Sequence, residues 1–284
     1  MRRLSFALAA AVLGCWVSSC GLPMGPFTAE AHDTWTHSYT IGKNGEVRIA
    51  NVNGRVTIEG TDGSTVEVEA ERIAHAATDQ LAKDLLPKIP IEDHSTPDTV
   101  FVETGRISGI LIGASFEVQY KVRVPKASTV RATTVNGTVD VRSLSGRTTA
   151  RTTNGGVRAE KISGNLEARS VNGGVRAQFD ALGPGDIVLG VVNGGVRISL
   201  PESAKATVNA TWVNGGFNTS GLKFDVRDSG KRHFEGLLNG GGTSITATTV
   251  NGGITVSAAG TKDDEGDDDS GRETGTRLKG RSGQ

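Results

Sequence analysis

The tripeptide Val-Asn-Gly, or a close variant, recurs at Asn53, Asn136, Asn154, Asn172, Asn193, Asn214 and Asn251. Recurrence at near-fixed spacing constrains a fold more than composition does, because every unit must repeat one backbone path. Spacings from Asn136 onward are 18, 18, 21, 21 and 37 residues, the last being two units long. Aligned on the Asn, the sequence falls into columns. Three residues after it stand Val56, Val139, Val157, Val175, Val196, Phe217 and Ile254. Four before it stand Ile49, Ala132, Ala150, Ala168, Leu189, Ala210 and Ala247. Polar residues such as Arg151, Arg158, Glu167, Arg169, Arg176 and Arg197 fill the places between. Apolar and polar residues therefore alternate with period two on both sides of the Asn, and each unit reads as two short half-buried strands.

A second corner precedes each Asn by about eight residues, at Ser145-Gly146, Ser163-Gly164, Gly183-Pro184-Gly185, Pro201-Glu202-Ser203 and Asn239-Gly240. Asn and Gly suit corners because they tolerate positive φ. In this alignment Asn239 falls on the second corner, and Leu222, Phe224 and Val226 stand where the missing coil should be. Two architectures fit the pattern. A β-solenoid of 18–21-residue coils, resembling a right-handed β-helix, stacks like residues above one another. An antiparallel sandwich or meander would use each Asn-Gly as a hairpin turn. The solenoid is preferred, because it closes its own core and small inner residues suit a narrow interior, whereas a meander needs a second layer.

The ends differ from the repeat. Arg2 and Arg3 precede the apolar stretch 4–17, which has the length of a signal peptide's core and is short for a membrane span. Val17-Ser18-Ser19-Cys20 resembles a lipobox, which makes Cys20 the expected lipidation site and 1–20 the signal peptide. The alternative is cleavage after Ala31 in Ala29-Glu30-Ala31. Residues 21–37 then read as a linker, 38–129 as a first coil with an N-terminal cap, 130–260 as the regular solenoid and 261–284 as a disordered charged tail. Within the cap, 74–86 has helix-forming composition and stops at Pro87, and 100–102 and 116–124 read as strands. Both cysteines lie in the first 20 residues, so the domain beyond them carries no disulfide.

This organisation resembles the bacterial β-strand-repeat domain of unknown function labelled a putative adhesin. The resemblance rests on the Asn-Gly-Gly-Val units, on Tyr120–Pro125 before the first regular coil, and on the exported amino terminus. It implies an envelope or surface protein with a solenoid-like fold and no established enzyme activity.

Signatures of chemistry are missing. His32, His37, His75, His94 and His233 form no close pair, and there is no nucleophile elbow, phosphate loop or dinucleotide fingerprint. Asp140, Asp180, Asp186, Asp225 and Asp228 share no column, which argues against the paired carboxylates of a β-helix polysaccharide-cleaving enzyme. No catalytic residue, cofactor or metal is expected. Lys+Arg and Asp+Glu balance at 31 each, so nothing points to nucleic acid. Within 130–258, however, 14 basic side chains face 9 acidic ones. Arg158, Arg176 and Arg197 share one phase and Arg151 and Arg169 another, and these five are the candidate contacts for an anion or glycan. Trp212 stands two before Asn214 as a core or corner filler, with sugar stacking as the functional alternative. The Asn column reads as a set of structural corners, either separate turn residues or, preferred, a stacked ladder bonding coil to coil. The expected function is non-enzymatic, adhesin-like binding of an acidic polysaccharide or a surface protein at the cell envelope, with a lipid anchor in the membrane. A structural or envelope-stress signalling role is the alternative.

Overall fold

A computed structural model describes residues 29–42, 44–106 and 113–260. In chain order the elements are β1 (Ala29–Thr40), β2 (Glu46–Ala50), β3 (Val56–Thr61), β4 (Thr65–Ala76), helix α1 (Asp79–Leu85) with a 3-10 turn at Leu86–Lys88, β5 (Ile91–Ser95), β6 (Thr99–Thr104) and β7 (Ala114–Pro125). The regular coils follow as β8 (Thr129–Asn136), β9 (Val139–Arg142), β10 (Thr148–Asn154), β11 (Val157–Ile162), β12 (Leu166–Asn172), β13 (Val175–Phe179), β14 (Ile187–Asn193) and β15 (Val196–Leu200). Last come β16 (Ala206–Asn214), β17 (Phe217–Ser220), β18 (Phe224–Ser229), β19 (His233–Leu238), β20 (Thr243–Asn251) and β21 (Ile254–Ala258).

The strands on either side of each Asn enter different sheets. Sheet A runs β1-β4-β7-β3-β9-β11-β13-β15-β21-β17, and sheet B runs β18-β19-β16-β20-β14-β12-β10-β8-β2-β6-β5. Like strands pair in parallel, with Ala132, Ala150 and Ala168 in register in sheet B and Val139, Val157 and Val175 in sheet A. The Asn-Gly steps are thus solenoid corners and not hairpin turns. Alternation selects the face: Leu166, Ala168 and Ser170 of β12 are buried, while Glu167 and Arg169 point outward. The apolar columns of the two sheets meet in one continuous core.

The corner explains the motif. Beyond Asn53, each Asn side-chain amide donates to the neighbouring Asn of the stack: Asn136 to Asn53 (2.8 Å), Asn154 to Asn136 (2.7 Å), Asn172 to Asn154 (2.9 Å) and Asn193 to Asn172 (2.8 Å). Asn251 continues the ladder onto Asn193 and Asn214 onto Asn251, each at 2.8 Å. Two residues before the Asn, a hydroxyl turns inward and donates to a glycine carbonyl of the neighbouring coil, as Thr152 does to Gly137 (2.8 Å) and Ser170 to Gly155 (2.7 Å). The first glycine after the Asn is obligatory. Gly155 has φ +139°, and a Cβ there would stand 2.1 Å from the Gly137 carbonyl oxygen.

The stacking order departs from the sequence order at both ends. The β2/β3 coil lies between β6/β7 and β8/β9, and the β20/β21 coil lies between β14/β15 and β16/β17. β20 therefore pairs with β14 on one side and β16 on the other, keeping Asn251 in register with both Asn193 and Asn214. The expected extra coil at 222–226 is corrected here: β18 and β19 form an antiparallel hairpin added to the outer edge of β16. Its reason is closure of the open core end. Phe234 of the hairpin stacks on Phe217 at 4.1 Å and meets Phe224 edge-on, and Phe217 stacks on the buried Trp212. Trp212 is a core filler, and Asn239 lies on the second corner, bonded to the carbonyls of Glu202 and Ala204.

Three further readings of the N-terminal end change. Residues 29–37 are not linker: β1 pairs with β4 along its full length, from Ala29 opposite Ala76 to Thr40 opposite Thr65. The helix starts at Asp79, capped by Thr78, and not at Ala74, because Ala74 is held in β4 by partners on both β1 and β7. Pairing on two sides outweighs the modest helix preference of Ala. The strands at 99–104 and 114–125 are a full coil that lacks the Asn-Gly corner. Asn51 compensates at the adjoining corner by donating to the carbonyls of Asn53, Gly54 and Val118. The expected signal peptide, Cys20 and charged tail lie outside the described residues.

Candidate functional site

The outer face of sheet A carries the candidate site. Four residues after each Asn, side chains point away from the core because the residues on either side, such as Val175 and Ala177 around Arg176, point inward. Pairing places Arg158 opposite Arg176 and Arg176 opposite Arg197. Asp140 precedes them in the row, and Thr255 then Asn218 follow. Neighbouring strands lie about 4.8 Å apart, so the three arginines span roughly 10 Å along the stack.

Beside this row runs a second column, two residues after each Asn: Arg55, Thr138, Gly156, Gly174, Gly195, Gly253 and Gly216. The absence of side chains at the glycines opens a trench of about 520 Å³ lined by Arg55, Asp140, Arg158, Arg176, Arg197 and Thr255 along with the glycine floor. Its charge is uneven. Asp140 is half-buried, and burial pushes its carboxyl above the ordinary carboxylate range even though Arg55, Arg158 and Arg142 attract its charged form. Arg55 Nε lies 3.7 Å from Asp140, and Arg158 Nε lies 4.0 Å from Glu160. Among the described residues Arg197 has no acidic partner within 4.0 Å. The row is thus compensated at its Asp140 end and open at its Arg197 end.

The five candidate arginines do not form one surface. Arg151 and Arg169 are in register with each other on sheet B, on the opposite side of the molecule. Both are held by Glu167, at 2.7 and 2.8 Å, and hydrogen bonds from Arg169 and Arg151 lower the Glu167 pKa. With Glu167 the two form an ion cluster on the surface of sheet B. Sheet B also exposes a row of valines one residue before the ladder: Val52, Val135, Val171, Val192, Val250 and Val213. Arg158, Arg176 and Arg197 are legible in the sequence, whereas Arg55, Asp140 and the glycine floor join them only in the folded structure. The signal was present in the columns two and four residues after the Asn. Among the described residues no group of three or more His, Cys, Asp or Glu side chains could hold a metal ion. No helix among them is long and apolar enough to cross a membrane.

Residues 146–257, which contain five of the ladder asparagines, match the family described as Toastrack DUF4097. This part of the chain is similar to a Toastrack domain. The coils formed by residues before 146 extend the same β-solenoid beyond that match. Among solved structures, the solenoid is similar to one described as a putative cell adhesion protein from Clostridium sporogenes. The two are 10% identical, with a TM-score of 0.43 over 80% of this chain and 100% of that one. It is also similar to a structure described as a putative adhesin from Bacteroides fragilis, 12% identical, with a TM-score of 0.33 over 80% of this chain and 97% of that one. No curated protein matches the chain significantly.

Proposed function

We infer that this protein is an exported, non-enzymatic binding protein of the cell envelope, adhesin-like in that it presents a rigid repetitive surface to an anionic ligand. The observation that carries the reading is the in-register row Arg158, Arg176 and Arg197 on the outer face of sheet A. Like charges on adjacent strands repel, and a bound anion relieves that repulsion. Guanidinium groups pair with carboxylates and phosphates in a forked geometry that suits recognition. The acids support a non-catalytic role, since Asp140 lies in the trench while Asp225 and Asp228 lie on the β18–β19 hairpin.

Export through a lipidated Cys20 fits the N-terminal cap better than cleavage after Ala31. Ala29 and Ala31 are buried in β1, and Glu30 contacts His32 at 2.8 Å, so cleavage there would remove three paired residues of the sheet. The binding reading is tested with the full mature chain on an array of acidic and neutral glycans at low and high salt. Retention on acidic glycans that falls with salt is expected. Absence of binding to every anionic glycan at low salt would overturn the reading.

A further inference from the structure

We propose that the free edge of β1 is a pairing surface for a second copy of this chain, with two β1 strands joined antiparallel about a two-fold axis at Trp35. Sheet A of one copy then continues into sheet A of the other.

The edge of a sheet presents unpaired N–H and C=O groups, and soluble proteins blunt it with short strands, charges, proline, lysine or bulges. Among the described residues sheets A and B end on four strands, and three of these are blunted. β17 has 4 residues, and β5 has 5 and carries Glu92 and Asp93. β18 is bulged between Val226 and Asp228 and carries Asp225, Arg227 and Asp228. β1 is the exception. It is 12 residues long, holds no Pro, Gly or Lys, and pairs with β4 without a bulge. From Thr34 to Thr40 it has no Asp, Glu, Lys or Arg and is rich in the Thr and aromatic residues that strands favour.

The groups on that edge follow from the ladder. Ile41 N–H donates to the Ser64 carbonyl at 3.2 Å, in line with the pairing of Thr40 with Thr65. Hydrogen-bonded and non-hydrogen-bonded pairs alternate in an antiparallel ladder, so the odd residues back to Ala29 bond to β4. The even residues turn their N–H and C=O groups outward, and Glu30, His32, Thr34, Thr36, Ser38 and Thr40 are all exposed.

A second β1 satisfies these groups only where even residues meet even residues, and the side chains then select the register. With Trp35 opposite its own copy, Thr34 meets Thr36, His32 meets Ser38 and Glu30 meets Thr40 in the hydrogen-bonded pairs. Trp35 with Trp35, Asp33 with His37 and Ala31 with Tyr39 fill the intervening pairs, where side chains approach more closely. Trp35 is half-buried, stacked on His37 at 5.7 Å as His37 is on Tyr39 at 4.6 Å, and a second indole covers its exposed remainder. Asp33 accepts both its bonds from Arg72, each 2.6 Å, and retains lone pairs for a ring N–H. The His37 ring nitrogens have no hydrogen-bond partner among the described residues. Moving the axis to Thr34 sets Asp33 against Trp35. Moving it to Thr36 sets Asp33 against Tyr39, whose hydroxyl already donates to Asp93, and moving it to Asp33 opposes two carboxylates.

The test is sedimentation equilibrium of the mature chain carrying Cys20→Ser, which removes the lipid and leaves no cysteine. A concentration-dependent dimer is expected. Thr36→Pro removes an outward N–H that the monomer does not use, and should weaken the dimer at least about tenfold while the melting temperature holds. Where proline lowers the melting temperature, Thr34→Lys with Thr36→Lys decides instead: it opposes like charges in both threonine pairs and should dissociate the dimer, whereas Thr34→Lys with Thr36→Glu should retain it. Trp35→Cys should crosslink on mild oxidation, because opposed residues hold their Cβ atoms about 4.5–5.5 Å apart, and Thr34→Cys, out of register with its own copy, should not. A chain that stays monomeric up to about 100 µM overturns the proposal. So does a dimer indifferent to the two lysines, or one crosslinked through Thr34→Cys in preference to Trp35→Cys.

Discussion

Gly155 and Gly156 are adjacent, chemically identical and expected to respond very unequally to the same methyl group. At Gly155 φ is +139°, a conformation nearly closed to residues with a Cβ, and forcing alanine into it costs about 1–3 kcal/mol. The added Cβ would also stand 2.1 Å from the Gly137 carbonyl oxygen, a backbone atom of the neighbouring coil that cannot swing aside. Such overpacking costs about another 1–3 kcal/mol. Together these make Gly155→Ala destabilising by about 4 kcal/mol, which lowers Tm by roughly 8–16 °C in a domain of this size. At Gly156 φ is not left-handed and the nearest contact is the Gly174 carbonyl oxygen at 3.2 Å. Alanine there restricts the unfolded chain, worth about 0.4–1 kcal/mol in favour of folding, against a small adjustment of that neighbour. Gly156→Ala should therefore stay within about 1 kcal/mol of the parent. Thermal unfolding followed by circular dichroism compares the two variants directly. Equal losses, or a harmless Gly155→Ala, would refute both the corner geometry and the claim that the second glycine is free of structural duty.

Thr152→Val removes the hydroxyl that satisfies the Gly137 carbonyl and should cost about 1 kcal/mol in chemical denaturation. Deleting Arg158–Val175, 18 residues, removes one interior unit and should leave β10 paired with β14 and the protein folded. Removing 243–258 should be worse tolerated, because it empties the slot between β14 and β16, and exchange of the amide hydrogens of 187–193 reports the difference. Glu167 has its pKa lowered by the Arg169 and Arg151 hydrogen bonds, so its stabilisation is present above the unfolded value of 4.5 and is lost as pH falls through the folded one. The stability gap between the parent and Glu167→Gln should accordingly shrink on acidification, as denaturation at neutral and acid pH will show. Cys20→Ser should shift the protein from the membrane fraction to the soluble fraction, and an unchanged distribution would count against the lipid anchor.

The sequence by itself determined the coil. Period-two alternation around Asn-Gly allows only one face of each strand to be buried, and repetition of that pattern at 18 and 21 residues sets like residues in register. The alignment on Asn136, Asn154 and Asn172 was therefore already the alignment of the sheets, and the arginine row could be read from it. Other features were invisible because they depend on contacts between residues far apart in the chain. Ala74 has the local composition of a helix, yet pairing with β1 and β7 holds it in a strand. Residues 222–238 carry a coil-like pattern but form a hairpin, which brings Phe224 and Phe234 over the aromatic core end at Phe217. Likewise, nothing local tells β20 to enter between β14 and β16. Its register suits either neighbour equally, and insertion gives the last coil two partners in each sheet instead of one. Arg151 and Arg169 show the same division within the candidate site. Their column was legible, but only the packed structure put Glu167 between them and placed them on the sheet opposite the trench, because charge partners and faces are settled by what the folded chain brings within reach.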